Sequence, residues 1–155
     1  MAVQNFGSLV SFLFGIANDC LVDVYDVGDY RKVILPMIVI RRFDAVLEGK
    51  KQETLEKKAK LDAQEITEQD DALCEAIGEA FYNSSPYTLK DLLSRTSKQQ
   101  LKQDFITYLN GFSQNVQDII SRFEFHRQID KLSDHNILGT LIKKFTDEKI
   151  NLSPH

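Results

Sequence analysis

The sequence predicts an all-α protein, a single compact domain of about six or seven helices with a kinked central helix. Apolar residues recur at helical spacing in one segment after another. No segment of useful length alternates apolar and polar residues as a half-buried strand would. The most apolar run, Tyr30 to Glu48, contains Pro36 and ends beyond the paired arginines Arg41 and Arg42. Within it VILPMIVI has the length and β-branching of a strand. Proline lacks the donor that a central ladder needs, whereas near the first turns of a helix its loss produces a kink, so the helical reading is preferred.

The elements follow in chain order. Leu9, Phe12, Leu13, Ile16, Ala17, Cys20 and Leu21 repeat at helical spacing, with Ser8 as a candidate N-cap. Asp23 to Asp29 reads as an aspartate-rich turn. The central helix then begins near Asp29 or Tyr30. Pro36, Val39, Ile40, Phe43, Val46 and Leu47 share one of its faces, and Ile34, Ile38 and Ala45 lie opposite. Its first half is therefore expected to be buried all round. From Gly49 to Gln64 the apolar pattern thins, and Glu53 with Lys57 and Glu56 with Lys60 make favourable i, i+4 pairs, as in a solvated extension or mobile arm.

Thr67 with Asp70 suggests a cap for a helix carrying Leu73, Ile77 and Phe81 beside a row of alanines. The segment FYNSSPY breaks it, and Thr88 caps a short helix with Leu89, Leu92 and Leu93. Leu101, Phe105, Tyr108, Leu109 and Phe112 form another helical face that ends at Gly111 and Ser113. Val116, Ile119, Ile120 and Phe123 follow, capped by Ser113 or Asn115. Ile137, Leu138, Leu141, Ile142 and Phe145 give the last helix, capped by Ser133 or Asp134.

At 155 residues the chain is long enough for one domain with a real core. Its net charge of -4 argues against a surface designed as a whole for nucleic acid. The distribution is more telling: nine of the nineteen basic residues lie between Arg31 and Lys60, and Leu61 to Ala80 holds seven acids and no lysine or arginine. Cys20 and Cys74 read as buried thiols of a reducing cytosol. No basic residue precedes Arg31, and Asn18 and Asp19 interrupt the first apolar run. Neither a signal peptide nor a membrane span fits, and a cytoplasmic location is expected.

The search for chemistry is mainly negative. The glycines form neither dinucleotide nor phosphate loops. His126, His135 and His155 lack metal-ligand spacing. Asp70 and Asp71 suit a helix N-terminus, and Ser84 and Ser85 suit a turn beside Pro86. No catalytic, cofactor or metal residue is assigned. The basic residues are the one constellation with functional potential: Arg41, Arg42, Lys50 and Lys51, followed by Lys57, Lys58 and Lys60, could line a strip against phosphates. The last three alternate with glutamates and suit a solvated face equally well. For Arg41 and Arg42, an ion pair with Asp44 or a docking contact competes evenly with DNA binding.

Four blocks in order, KVILPMIVIRRFDAVLE, FYNSSPYTLKDLL, YLNGFSQNVQDIISRFEFHRQIDKL and ILGTLIKKFTDEKINLSP, resemble the N-terminal helical domain of the modification (HsdM-type) subunit of type I restriction-modification DNA methyltransferases. The likeness runs from about Leu9 to Pro154. It implies a parent subunit that transfers a methyl group from S-adenosylmethionine to the exocyclic amino group of adenine in double-stranded DNA. Its partners would be a second modification subunit, a specificity subunit that reads the sequence, and the restriction subunit. The family's cofactor loop and Asn-Pro-Pro-aromatic motif do not occur here, so residues 1–155 are expected to be a non-catalytic domain of a larger subunit. Asn151 to His155 would end near the linker to the catalytic region. The resemblance implies roles in DNA engagement, assembly and sensing of methylation state. The alternative is an interaction module that never touches DNA.

Overall fold

The structure, a computed structural model, describes residues 6–147, with side chains from residue 11 onward. Eight α-helices occupy them: α1 (Phe6–Leu21), α2 (Arg31–Val46), α3 (Lys51–Ala63), α4 (Asp70–Ile77), α5 (Lys98–Asn110), α6 (Gln114–Arg122), α7 (Phe125–Asp134) and α8 (Leu138–Phe145). Short 3-10 turns at Val27–Asp29 and Lys90–Ser94 complete the set. The all-α expectation holds. Among the described residues the strand-like element is an isolated bridge between Asn83 and Phe112. No helix there is long and apolar enough to cross a membrane. The expected linker at Asn151 to His155 lies outside the described residues, as does His155.

The core gathers around α2, which packs against α6, α7 and α8. Val33, Met37 and Ile40 of α2 are fully buried with Phe105, Tyr108, Phe125, Leu141 and Phe145. Aromatic rings lock this region: Phe105 meets Phe125 edge-on at 6.3 Å, and Tyr108 meets Phe112 edge-on at 5.2 Å. The helix runs through Pro36 without a break, as a proline within its first two turns allows.

Burial of the first half of α2 on all sides does not hold. Leu35 is 46 % exposed, and Ile34 and Ile38 are half-buried. With Leu13, Phe14 and Val27 they line an open apolar groove of about 520 Å³ between α1, α2 and the Val27–Asp29 turn. The core lies on one side of α2 only.

Several boundaries also differ from the sequence reading. Ser8 lies inside α1. Gln69, not Thr67, precedes α4, and the Asp70 carboxylate accepts from the Tyr82 hydroxyl at 2.5 Å. The Gly49 to Gln64 stretch is mostly helix, because α3 packs on α4. At the Lys90–Ser94 turn the cap runs backwards: the Thr88 amide donates to the Asp91 carboxylate at 2.8 Å. Ser133 and Asp134 end α7, so Ile137 stands at the start of α8. The helix α7 itself is an addition to the sequence reading. Its entry turn uses Glu124 at φ 54° and its exit uses Asn136 at φ 61°, so no glycine marks either break.

Both cysteines are free thiols; Cys20 is buried, as expected, whereas Cys74, also expected to be buried, is half-buried. His126 and His135 are exposed, and no group of residues among those described could hold a metal ion.

Candidate nucleic-acid interface

Helix α2 carries Arg41 and Arg42 in its last turns, and Gly49 then reverses the chain into α3, which begins at Lys51. The four basic residues therefore flank one bend, but their side chains diverge. Arg42 is exposed. Arg41 is 9 % exposed and reaches Asp44, one turn along the same helix, at 3.4 Å. That is the ion pair weighed from the sequence. Its Nε is buried and meets no acceptor among the described residues.

Asp44 is the centre of a buried polar cluster. It accepts from the Tyr108 hydroxyl at 2.9 Å and from the Leu89 amide at 3.3 Å. Burial pushes its carboxyl above the usual range, although those two hydrogen bonds and Arg41 pull the other way. The Tyr108 phenol is raised well above its ordinary value by burial and by the neighbouring Asp44 charge.

Lys51 turns inward to the same place. Its ammonium donates to Asn83 Oδ1 at 2.8 Å, to the Ser85 carbonyl at 2.8 Å and to the Asn83 carbonyl at 3.1 Å. Loss of water around it lowers its pKa to about 8, against the pull of Asp44 and Asp91. Asn83 continues the chain of bonds by donating to the Tyr108 carbonyl at 2.8 Å and accepting from the Ser85 amide and hydroxyl. A cavity of about 20 Å³, room for about one water, lies among Asp44, Lys51, Thr54, Asn83 and Tyr108. Lys50 meets Glu79 at 2.5 Å, with both side chains partly exposed.

Two of the four residues, Arg41 and Lys51, thus share one buried cluster, Lys50 clasps the chain where it leaves α4, and Arg42 faces outward. Chemically the cluster ties α2, α3 and the 83–89 segment to α5; Asp44 and Lys51 are met by hydrogen bonds, and Arg41 by its contact with Asp44 alone. Asn83 and Tyr108 carried no functional weight in the sequence. Asp44, an acid inside an apolar run, was the one visible signal of the cluster.

Farther along, Lys57 and Lys58 are half-buried and Lys60 is exposed; Lys58 pairs with Asp62 at 3.3 Å, as on a solvated helix face.

Neither the curated proteins nor the solved structures contain a match to this chain. A family model described as the HsdM N-terminal domain matches residues 9–145, nearly the whole of the described fold. The chain therefore belongs to the HsdM N-terminal domain family, the N-terminal domain of type I restriction-modification modification subunits.

Proposed function

We propose that this domain is a non-catalytic body of a type I adenine-specific DNA methyltransferase subunit, which docks on the rest of the complex and helps it close around double-stranded DNA. The observation that carries the reading is the apolar groove on α1 and α2, where Phe14 is 65 % and Val27 75 % exposed. A contiguous apolar surface of this kind is costly in water and suits a protein contact. In the complex, S-adenosylmethionine and the target adenine belong to the catalytic region. Flipping that base costs a few kcal/mol, which a second body wrapped around the duplex offsets by holding the distorted state. Of the four basic residues, Arg42 is the one we assign to a DNA phosphate, with Arg41, Lys50 and Lys51 holding the surface that presents it.

The second reading, an assembly module that never touches DNA, draws support from the inward turn of Lys51 and the overall charge of -4. One experiment addresses both. Phe14→Glu with Leu35→Glu, placed in the complete modification subunit, should abolish co-purification with its partner subunits while leaving the domain's helical signal intact. Unchanged stoichiometry would remove the docking role. In the same enzyme Arg42→Ala should weaken DNA binding and reduce the salt slope by about one. An unchanged slope selects the DNA-free module.

A further inference from the structure

Helices α3 and α4 make a hairpin that is built as a unit of its own. They pack chiefly on each other, and Leu61, Leu73 and Ile77 are buried there, outside the main core. Polar bonds brace the tip: Gln69 donates to the Asp62 carboxylate and to the Ile66 carbonyl, both at 2.7 Å, and Lys58 reaches Asp62 and Gln69 at 3.3 Å. A pair of helices closed on itself in this way can move as one body.

Each connection to the rest of the molecule runs through a glycine. Gly49 and Gly78 stand at φ 81° and 70°, in the left-handed region open to glycine, and a Cβ at either would meet no described atom within 4 Å. Both joints are uncrowded, so small backbone rotations there redirect the whole hairpin.

The ties that hold the hairpin down are polar. Lys51 donates to three oxygens of Asn83 and Ser85, Lys50 meets Glu79 across the joint, and the Tyr82 hydroxyl donates to Asp70 at 2.5 Å. The edge-on contact of Phe43 with Phe81 falls beyond Gly78, on the body's side of the joint. Beneath the hairpin the seam is incompletely filled, because the small cavity among Asp44, Lys51, Thr54 and Asn83 lies in it. Burial also works against the charged ammonium that Lys51 brings there.

Charge gives the motion a driver. Four lysines and eight acids lie between Lys51 and Ile77, whereas Arg42 stands exposed just before the Gly49 joint. A polyanion drawn to Arg42 repels the hairpin as a whole while its phosphates attract Lys51.

We propose that α3 and α4 form an arm hinged at Gly49 and Gly78 and latched on the body by Lys51. Its driver is a polyanion at Arg42. Opening withdraws Lys51 from its three oxygens and frees it for phosphate, so the anion favours the form that it binds better. That the polyanion is double-stranded DNA rests on the function proposed above; the hinge and the latch do not.

Pulsed electron resonance on the 155-residue chain tests it. Spin labels go on Glu68→Cys in the hairpin and Arg127→Cys in the body, both exposed positions, in a chain carrying Cys20→Ala and Cys74→Ala. A second pair, Glu53→Cys with Glu75→Cys, reports on the hairpin itself. Lys51→Met should add a new distance between the first pair and raise the ratio of open to closed chains about tenfold or more, while the second pair keeps its single distance. The same single distance with and without Lys51→Met would overturn the latch. Broadening of the second pair together with the first would mean melting and would overturn the hinge. A short DNA duplex should produce the new distance with Lys51 intact, and Arg42→Ala or added salt should cancel it. A duplex that leaves the distance unchanged, while Lys51→Met opens the arm, overturns DNA as the driver and supports the hinge. Loss of the docking role at Phe14 and Leu35 touches neither measurement.

Discussion

The body of this domain and the hairpin formed by α3 and α4 are both helical, and they hold together by different means. The body buries a continuous apolar core from Ile16 in α1 to Phe145 in α8. The hairpin buries Leu61, Leu73 and Ile77 outside that core, and its two helices pack chiefly on each other. Its link to the body is largely polar: Lys51 to Asn83 and Ser85, and Lys50 to Glu79 across its base. Phe43 against Phe81, edge-on at 4.8 Å, adds an apolar contact where the chain returns to the body. At both ends of the hairpin the chain turns through a left-handed glycine, Gly49 at φ 81° and Gly78 at φ 70°. Charge divides the same way. Between Lys51 and Ile77 lie four lysines and eight acids, so the hairpin accounts for the whole net charge of -4 and the remainder is balanced. Packing makes one region a single cooperative unit, and a few hydrogen bonds set the attachment of the other.

The largest effect that follows is in the body. Phe125 is fully buried against Phe105, and Phe125→Ala should destabilise the domain by about 3–5 kcal/mol, seen as a lower midpoint in denaturant. Hydrogen exchange should then quicken in α2, α5 and α8 together. Loss of protection restricted to α7 would mean that the body is not one unit.

How far this contrast was legible in the sequence depends on the range of the interactions. Helical periodicity is local, and it revealed α1, α5, α6 and the apolar residues of α8 directly. It missed α7, whose Phe125, Ile129 and Leu132 do repeat at helical spacing, because Glu124 adopts the left-handed turn that glycine usually signals. It also assigned Ser133 to the wrong helix. The buried cluster was beyond its reach: Asp44 and Tyr108 are 64 residues apart, and Lys51 and Asn83 are 32 apart. The strip Arg41, Arg42, Lys50 and Lys51 looked uniform by charge. Side-chain direction separates its members, and direction comes from tertiary packing.

The second prediction concerns the polar attachment. Lys51→Met keeps the alkyl stem but removes a donor from the Asn83 and Ser85 carbonyls and from Asn83 Oδ1, which retains the Ser85 amide and hydroxyl, and this should cost about 1–3 kcal/mol. Exchange should rise first in residues 51–87, with α5 and α8 still protected. The pH dependence has a definite sign. The folded-state pKa of Lys51 lies near 8, below lysine's ordinary 10.5. Between these values the unfolded chain holds a proton that the folded chain has released, so this group adds stability as pH rises through the window. The stability gap between the natural chain and Lys51→Met should therefore widen from pH 8 to about pH 10. A gap that narrows would place the charged ammonium, not the neutral amine, as the form that the fold favours.

The smallest effect belongs to the clasp at the base of the hairpin. Lys50 and Glu79 meet at 2.5 Å, but their side chains are 30 % and 26 % exposed, and water screens a pair so placed. Lys50→Ala should cost no more than about 1 kcal/mol, and added salt should shrink the difference. Because each residue directly follows one of the two left-handed glycines, the pair spans the joint and not the hairpin's interior. Its removal should change exchange at residues 49–50 and 78–79 while leaving the buried Leu61 and Leu73 amides untouched. If Lys50→Ala instead costs as much as Lys51→Met, the exposed clasp and the buried cluster share one network, and the hairpin's attachment to the body is a single cooperative joint.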